Sequence, residues 1–229
     1  MPKKFEKEFI SYCENQNLEV NPNQIKVIKK LEDYHNSNYK SFFSKLFSKQ
    51  KTKKGFYLYG GVGVGKTMIL NFFYDHLEEK KLKKHFNEFM LGFHDFVYEQ
   101  KEKNEENVIN QFVKNLKSKA SLVYFDEFQV TNIVDAMILG KLFEQIFKED
   151  IKIILTSNTK ISELYKEGLQ REQFIPFIKI MEDQSIEYEL KIEDDYRKSN
   201  DNQKQRYFFP LNQETNFKIN KFFRTHKTC

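Results

Sequence analysis

The chain has 229 residues, of which 39% are apolar, so it is long enough for one α/β domain with a core of its own. Its 38 basic residues are nearly balanced by 33 acidic ones spread along the sequence, and the net charge of +5 therefore does not favour a nucleic-acid-binding protein. No apolar run approaches the roughly 18 residues of a transmembrane helix, the first residues lack the apolar stretch of a signal peptide, and two cysteines make no disulfide framework. We expect a cytoplasmic protein without a transmembrane segment.

Residues 1–54 predict a helical extension that ends in a basic connector. Asn21 is suited to cap a helix, Pro22 to its first turn and Gln24 to reach back to the cap, and apolar residues then recur on one face over residues 22–35. Residues 37–54 predict a short helix and a connector. The lysines of residues 45–54 fit a solvated linker or an anionic partner, and both interpretations stay open.

A glycine-rich loop lies between an apolar β-rich run and a predicted helix. It fits the pattern G-x-x-x-x-G-K-[ST], in which backbone N–H groups point at phosphate oxygens; the alternative is an ordinary glycine-rich turn. In the nucleotide-binding interpretation Lys66 reaches the β- and γ-phosphates and Thr67 holds Mg²⁺. The predicted phosphate-binding residues are Gly60, Gly61, Val62, Gly63, Val64, Gly65, Lys66 and Thr67.

Strands and helices alternate after this loop. The apolar pattern predicts strands over residues 85–89, 121–125, 151–156 and 186–190, with helices between them, the first of which ends in the charged run of residues 78–84. This order is typical of a five-stranded, mostly parallel sheet with helices on both faces, which binds ligands at the carboxyl ends of its strands. Residues 89–93 are aromatic-rich, which favours core packing over contact with a substrate in a central pore.

An acidic pair follows the predicted strand 121–125, where the fold expects functional residues. Asp126 is placed to hold the Mg²⁺ that bridges nucleotide phosphates, and Glu127 to act as the general base for an attacking water. An acidic pair at a strand end is often only solvated. Here it occurs together with the phosphate loop, which favours the catalytic interpretation.

Two further polar residues extend this constellation. Asn158 follows the next strand and could hydrogen-bond the γ-phosphate or the attacking water, although Asn also favours turns. Arg171 could act in a neighbouring subunit as an arginine finger, which would require a homo-oligomer, or could be a surface arginine. The five histidines show no metal-ligand spacing, so no metal other than Mg²⁺ is expected.

Several stretches of the chain resemble the ZapE-type, or AFG-like, AAA+ ATPases, which are bacterial cell-division proteins with mitochondrial relatives. The most specific of them is Phe-Gln-Val-Thr directly after the acidic pair. The matching stretches are residues 55–67, 125–131, 135–139, 156–158, 164–176, 195–197 and 207–211. One local departure is Asn132, which stands where relatives usually have Asp.

The resemblance implies ATP and Mg²⁺ as cofactors, a homo-oligomeric ring, and a protein substrate, with the tubulin-like division-ring protein as the bacterial partner. Mitochondrial relatives are linked to inner-membrane protein quality control, which makes a peripheral membrane association compatible with the family. Members of the family also continue further after the fifth strand, so residues 191–229 are expected to form only part of the helical lid.

The sequence therefore predicts a P-loop ATPase that remodels a protein partner. The main alternative is a nucleotide-dependent switch that hydrolyses little because its lid is incomplete. A small-molecule kinase fits the acidic pair and Asn158 less well, and a GTPase is disfavoured because no Asn-Lys-x-Asp sequence occurs. Nucleic-acid binding of the helicase-loader kind is a weaker alternative.

Overall fold

A computed structural model describes residues 4–39, 52–100 and 104–191 of the chain. Within these ranges five parallel strands form one sheet in the order β2-β3-β4-β1-β5. The strands are β1 (Gly55–Tyr59), β2 (Lys81–His85), β3 (Leu122–Asp126), β4 (Lys152–Ser157) and β5 (Ser185–Glu189). The predicted parallel α/β sheet is confirmed.

Helices precede the sheet and connect its strands. They are α1 (Lys4–Asn15), α2 (Pro22–Tyr39), α3 (Lys66–Asp75), α4 (Phe86–Glu99), α5 (Glu105–Lys119), α6 (Ile133–Lys148) and α7 (Ile175–Gln184), with 3₁₀ turns at Ile161–Glu163 and Arg171–Gln173. No helix in the described ranges is long and apolar enough to cross a bilayer.

Alternate residues of the strands pack into two separate cores. On one face Phe56 and Leu58 of β1 pack with apolar residues of α1, α2 and α3. On the other face Tyr57 of β1 packs with the aromatic-rich faces of α4 to α7. Side chains alternate across a strand, so a sheet buried on both faces requires the continuous apolar runs seen in the sequence.

The strand order positions the functional residues. β4 lies between β1 and β3, so the phosphate loop after β1, Asn158 after β4 and Asp126 at the end of β3 come from three adjacent strands. Because these strands are parallel, their carboxyl ends meet at the same edge of the sheet.

The predicted position of the second strand, residues 85–89, was wrong. Residues 86–89 begin helix α4, and the strand is instead the lysine-rich segment Lys81–His85, while helix α3 ends at Asp75 before the charged run. β2 is an edge strand whose residues are half-buried or exposed, and lysines are a common device for keeping other chains off such an edge. Lys81 also donates to the carbonyl oxygen of Leu77 at 2.6 Å, near the end of α3.

The N-terminal helices share a core with the sheet. Helix α1, for which no separate prediction was made, buries Phe9 and Cys13, and α2 runs to Tyr39, beyond its predicted end. After β4 the chain forms a 3₁₀ turn at Ile161–Glu163 rather than a longer helix. Residues 45–51 of the basic connector and the expected partial lid from residue 192 onward lie outside the described residues.

Candidate active site

The glycine-rich loop joins the end of β1 to the start of α3. Gly65 adopts φ 91°, and a β-carbon there would lie 2.7 Å from Nε2 of Gln24. A β-carbon on Gly60 would lie 2.4 Å from the carbonyl oxygen of Leu190. At Gly60 a backbone oxygen leaves no room for a side chain, and at Gly65 the left-handed φ favours glycine.

Gln24 supports this loop from helix α2. Its side-chain Nε2 donates to the carbonyl oxygen of Val64 at 3.1 Å, and the residue is only 4% exposed. Asn21 caps the start of α2, as the sequence predicted, by accepting from the N–H of Asn23 at 2.8 Å. No local pattern could have identified the contact between Gln24 and the loop, since the two lie far apart in the sequence.

Lys66 joins the phosphate loop to the end of β4. Its Nζ donates to the carbonyl oxygens of Gly60 at 2.9 Å and Gly61 at 2.6 Å, and to Oδ1 of Asn158 at 2.9 Å. The ammonium group is therefore held at the mouth of the loop beside an exposed amide. A positive charge and an amide at one point can both interact with a terminal phosphate.

Asp126 and Thr67 form a second cluster next to the lysine. The Thr67 hydroxyl donates to Oδ1 of Asp126 at 3.1 Å, and Asp126 is 4% exposed. A hydroxyl oxygen beside a carboxylate oxygen is a donor set that suits Mg²⁺, which is bound through one or two carboxylates together with phosphate oxygens. The residues present therefore fit the expected cation.

Glu127 lies directly after this cluster and is exposed. Its backbone adopts φ 56°, a conformation that non-glycine residues rarely take. The backbone N–H donates to Oγ1 of Thr156 at 3.0 Å and to Oδ1 of Asp126 at 3.2 Å. The Glu127 side chain is therefore exposed, while its backbone is hydrogen-bonded to Asp126 and Thr156.

Tyr124 lies two residues before Asp126 and faces the same side of β3. Burial raises the pKa of its hydroxyl, and the negative charge of Asp126 raises it further. The phenol therefore stays protonated at neutral pH. It is not a competing base beside Asp126 and Glu127.

Arg171 is anchored away from this cluster. It begins a 3₁₀ turn, and its guanidinium group donates through one terminal nitrogen to the carbonyl oxygen of Ser162 at 2.8 Å. Neighbouring Leu169 is 75% exposed. The structure thus unites Lys66, Thr67, Asp126 and Asn158, with Glu127 bonded to them through its backbone, and leaves Arg171 on its own segment.

The aromatic-rich segment 89–93 belongs mainly to the core. Phe89, Met90 and Phe93 are at most 3% exposed, whereas Leu91 is 64% exposed. The prediction of core packing is confirmed for three of these residues. In the described part of the chain no group of three His, Cys, Asp or Glu side chains could hold a metal ion.

Sequence comparison relates the chain to one family of proteins. A family model described as AFG1-like ATPase matches residues 12–228. The chain is 38% identical over 161 residues to lactation elevated protein 1 homolog B of Danio rerio, a match that covers 66% of this chain and 32% of the relative. It is 34% identical over 177 residues to the cell division protein ZapE of Escherichia coli K12, covering 77% of this chain and 47% of the relative.

The matches cover less than half of the length of these relatives. Among solved structures, the crystal structure of DnaI has a TM-score of 0.53 with 16% sequence identity, covering 79% of this chain and 88% of that one. At this identity the likeness concerns the fold alone.

Proposed function

Because the chain belongs to the AFG1-like ATPase family, we propose that it binds ATP with Mg²⁺ and hydrolyses the nucleotide to remodel a protein partner. The observation that carries the proposal is the meeting of three separate segments at one edge of the sheet. Lys66 contacts Asn158 at 2.9 Å, and Thr67 contacts Asp126 at 3.1 Å.

The phosphate loop supplies the binding energy for the nucleotide. Its backbone N–H groups and the positive end of helix α3 bind phosphate oxygens, and Lys66 adds a full positive charge. Gln24 holds the carbonyl group of Val64, so the loop is preorganised before the nucleotide arrives.

Thr67 and Asp126 are the residues that would hold the metal ion. The bound Mg²⁺ would neutralise charge on the β- and γ-phosphates. Asp126 is suited to this role because the buried carboxylate is already oriented by hydrogen bonds from Thr67, Thr156 and the Glu127 backbone.

Glu127 acts as the general base in this proposal. Its exposed carboxylate can accept a proton from a water molecule that attacks the γ-phosphorus. Asn158, held beside Lys66, orients that water or the γ-phosphate. Glu127 takes the proton from the water while Lys66 stabilises the negative charge on the phosphoryl oxygens.

The proposal includes a homo-oligomeric ring in which Arg171 acts on the nucleotide of a neighbouring subunit. Two observations support the ring. Arg171 lies outside the chain's own cluster, and the neighbouring Leu169 is exposed. The name of the relative ZapE favours a role in cell division, with a division protein as the partner in the cytoplasm.

Glu127→Gln tests the chemical step. We expect ATP binding close to wild type and turnover reduced by about 10²-fold or more, since an amide cannot accept the proton. Phosphate release measures turnover, and titration with a fluorescent ATP analogue measures binding. Glu144→Gln, which removes an exposed carboxylate on α6, is the matched control and should keep wild-type turnover.

Undiminished turnover in Glu127→Gln would contradict the assignment of the base. A wild-type protein that binds ATP tightly but releases negligible phosphate, alone and with its partner, would instead favour the nucleotide-dependent switch. Absence of ATP binding in the wild type would contradict the proposed function as a whole.

A further inference from the structure

The hydroxyl of Thr156 contacts both acidic residues of the site. Thr156 lies near the end of β4 and is 2% exposed. Its Oγ1 donates to Oδ1 of Asp126 at 2.6 Å and accepts from the backbone N–H of Glu127 at 3.0 Å. One buried side chain therefore links the proposed metal ligand to the proposed base.

The sheet register explains why these groups meet. Phe125 of β3 is paired with Leu155 of β4, so the next positions along the parallel strands are Asp126 and Thr156. Side chains at neighbouring positions of adjacent strands project from the same face, about 4.7–4.9 Å apart across the ladder. The spacing allows a short hydrogen bond without any distortion of the strands.

The hydrogen bonds to Asp126 restrict the rotation of its carboxylate. Oδ1 accepts from Thr156 at 2.6 Å, from Thr67 at 3.1 Å and from the backbone of Glu127 at 3.2 Å. The bond from Thr156 is the shortest, and it comes from strand β4, which pairs directly with β3. Thr156 is thus the contact that fixes the carboxylate relative to the sheet.

The same hydroxyl stabilises an uncommon backbone conformation. Glu127 adopts φ 56°, and its N–H is shared between Thr156 and Asp126. A residue keeps such a conformation only where surrounding contacts hold it. The direction of the Glu127 side chain therefore depends on an acceptor supplied by β4.

We infer that Thr156 is a positioning residue that holds the metal ligand Asp126 and the base Glu127 in one geometry. The inference rests on the proposed function, because it assigns Thr156 a role only through those two residues. Loss of the hydroxyl weakens the Mg²⁺ site and misdirects the base together. If the hydroxyl served folding alone, its loss would lower stability without a specific effect on the Mg²⁺ site or on the base.

Thr156→Val tests this inference in the full chain, since valine has nearly the same shape and no hydroxyl. We expect the Mg²⁺ concentration for half-maximal ATP turnover to rise, and kcat to fall, by about tenfold or more. The affinity for an ATP analogue, measured without Mg²⁺, should change less than about twofold, because Thr156 does not contact the nucleotide in this proposal. Thr156→Ser, which keeps the hydroxyl, should restore most of both properties.

Ser157→Ala is the matched control on the same strand end. Its hydroxyl is also buried and donates to the carbonyl oxygen of Phe128 at 2.9 Å, without contacting either acidic residue. Ser157→Ala should keep the wild-type Mg²⁺ dependence. Thermal unfolding of every variant checks the fold, and Thr156→Ala replaces the valine variant if valine disturbs the packing.

Amide hydrogen exchange of the metal-free protein provides a second readout. The Glu127 N–H should exchange faster in Thr156→Val than in the wild type and in Ser157→Ala, because it loses its nearer acceptor. This measurement requires neither nucleotide nor turnover.

Wild-type Mg²⁺ dependence and wild-type exchange in Thr156→Val would overturn the inference, as would equal effects of Thr156→Val and Ser157→Ala. If the wild type binds ATP without turnover, the ratio of its ATP affinities with and without Mg²⁺ replaces kinetics as the readout. A wild type that binds no ATP contradicts the proposed function itself, and the role of Thr156 falls with it.

Discussion

Gly65 is a residue at which the phosphate loop has little conformational freedom. It takes φ 91° where the loop turns into α3, and Nε2 of Gln24 lies 2.7 Å from the position of an added β-carbon. Gly61, in the same loop, has only the Val64 side chain near such an atom, at 3.8 Å. The four motif glycines are therefore not equivalent for folding.

Gly65→Ala should lower the free energy of unfolding by about 1–2 kcal/mol, because an L-residue in the left-handed region brings its β-carbon too close to the backbone. For a protein of this size that corresponds to a Tm lower by about 2–8 °C. Thermal unfolding without nucleotide measures the effect, and Gly61→Ala is the control that should unfold close to wild type.

Truncating Gln24 in the Gly65→Ala background separates the two causes. Gln24→Ala removes the close contact but not the backbone strain, so Gly65→Ala should still lower the Tm relative to Gln24→Ala alone. Equal Tm values for Gln24→Ala and the double variant would mean that the contact alone excludes a side chain at position 65.

Strand β4 is the element that organises the site. Thr156 lies near its end, and Asn158 follows it directly. At its start lies a buried lysine, Lys152, which is 5% exposed. Lys152 Nζ lies 2.6 Å from Oδ2 of Asp150, and Lys54 Nζ lies 3.2 Å from Oδ1. Burial by itself raises the pKa of Asp150, but the hydrogen bonds and charges of Lys152 and Lys54 outweigh it and lower that pKa below its usual value.

Asp150→Asn should lower the Tm at pH 7, because it removes this charge from beside a buried lysine. Asn tolerates the φ of 58° at this position, so the backbone is not strained further. Since the folded-state pKa of Asp150 is lowered, its stabilisation is present above the unfolded-state pKa of about 3.9 and disappears as the pH falls through the folded-state value.

The difference in Tm between wild type and Asp150→Asn should therefore shrink as the pH falls below about 4. Thermal unfolding between pH 7 and pH 3 measures it, with Asp95→Asn, an exposed position on α4, as the control. A difference that stays constant over this range would show that the negative charge of Asp150 is not its source.

At the scale of the whole molecule, Arg171 is the proposed catalytic residue that lies outside the chain's own nucleotide cluster. Its guanidinium group is tied to Ser162 of its own segment, whereas the nucleotide cluster is built on β1, β3 and β4. In the proposed ring each subunit supplies Arg171 to its neighbour.

Specific ATPase activity should then rise with protein concentration, and Arg171→Ala should reduce kcat by about 10³-fold or more. Lys179→Ala, which removes an exposed cation on α7, is the control and should keep both properties. Activity that is independent of concentration while the protein changes from monomer to oligomer would contradict a residue supplied by a neighbour.

Mixing two inactive variants sharpens this test. Glu127→Gln keeps Arg171, and Arg171→Ala keeps an intact nucleotide site. An equimolar mixture should therefore regain part of the wild-type turnover if the arginine acts between subunits. A mixture as inactive as its components would restrict Arg171 to its own subunit.

Much of the fold followed from local patterns, and the misplacement of β2 has a physical cause. The buried strands β3 and β4 are continuous apolar runs, and their predicted bounds differ from the observed ones by a single residue. β2 was misplaced because an edge strand buries little, so its lysines carry no apolar pattern. The assignment of a strand to an edge depends on the other strands.

The sequence by itself determined the phosphate loop, the acidic pair and the polar end of β4, because each is a local pattern whose chemistry depends on residues a few positions apart. Only the tertiary structure decided how they are held. Gln24 reaches Val64, and Thr156 reaches Asp126 and Glu127, across long stretches of chain. Such contacts depend on strand order and register, which bring distant residues to one edge of the sheet.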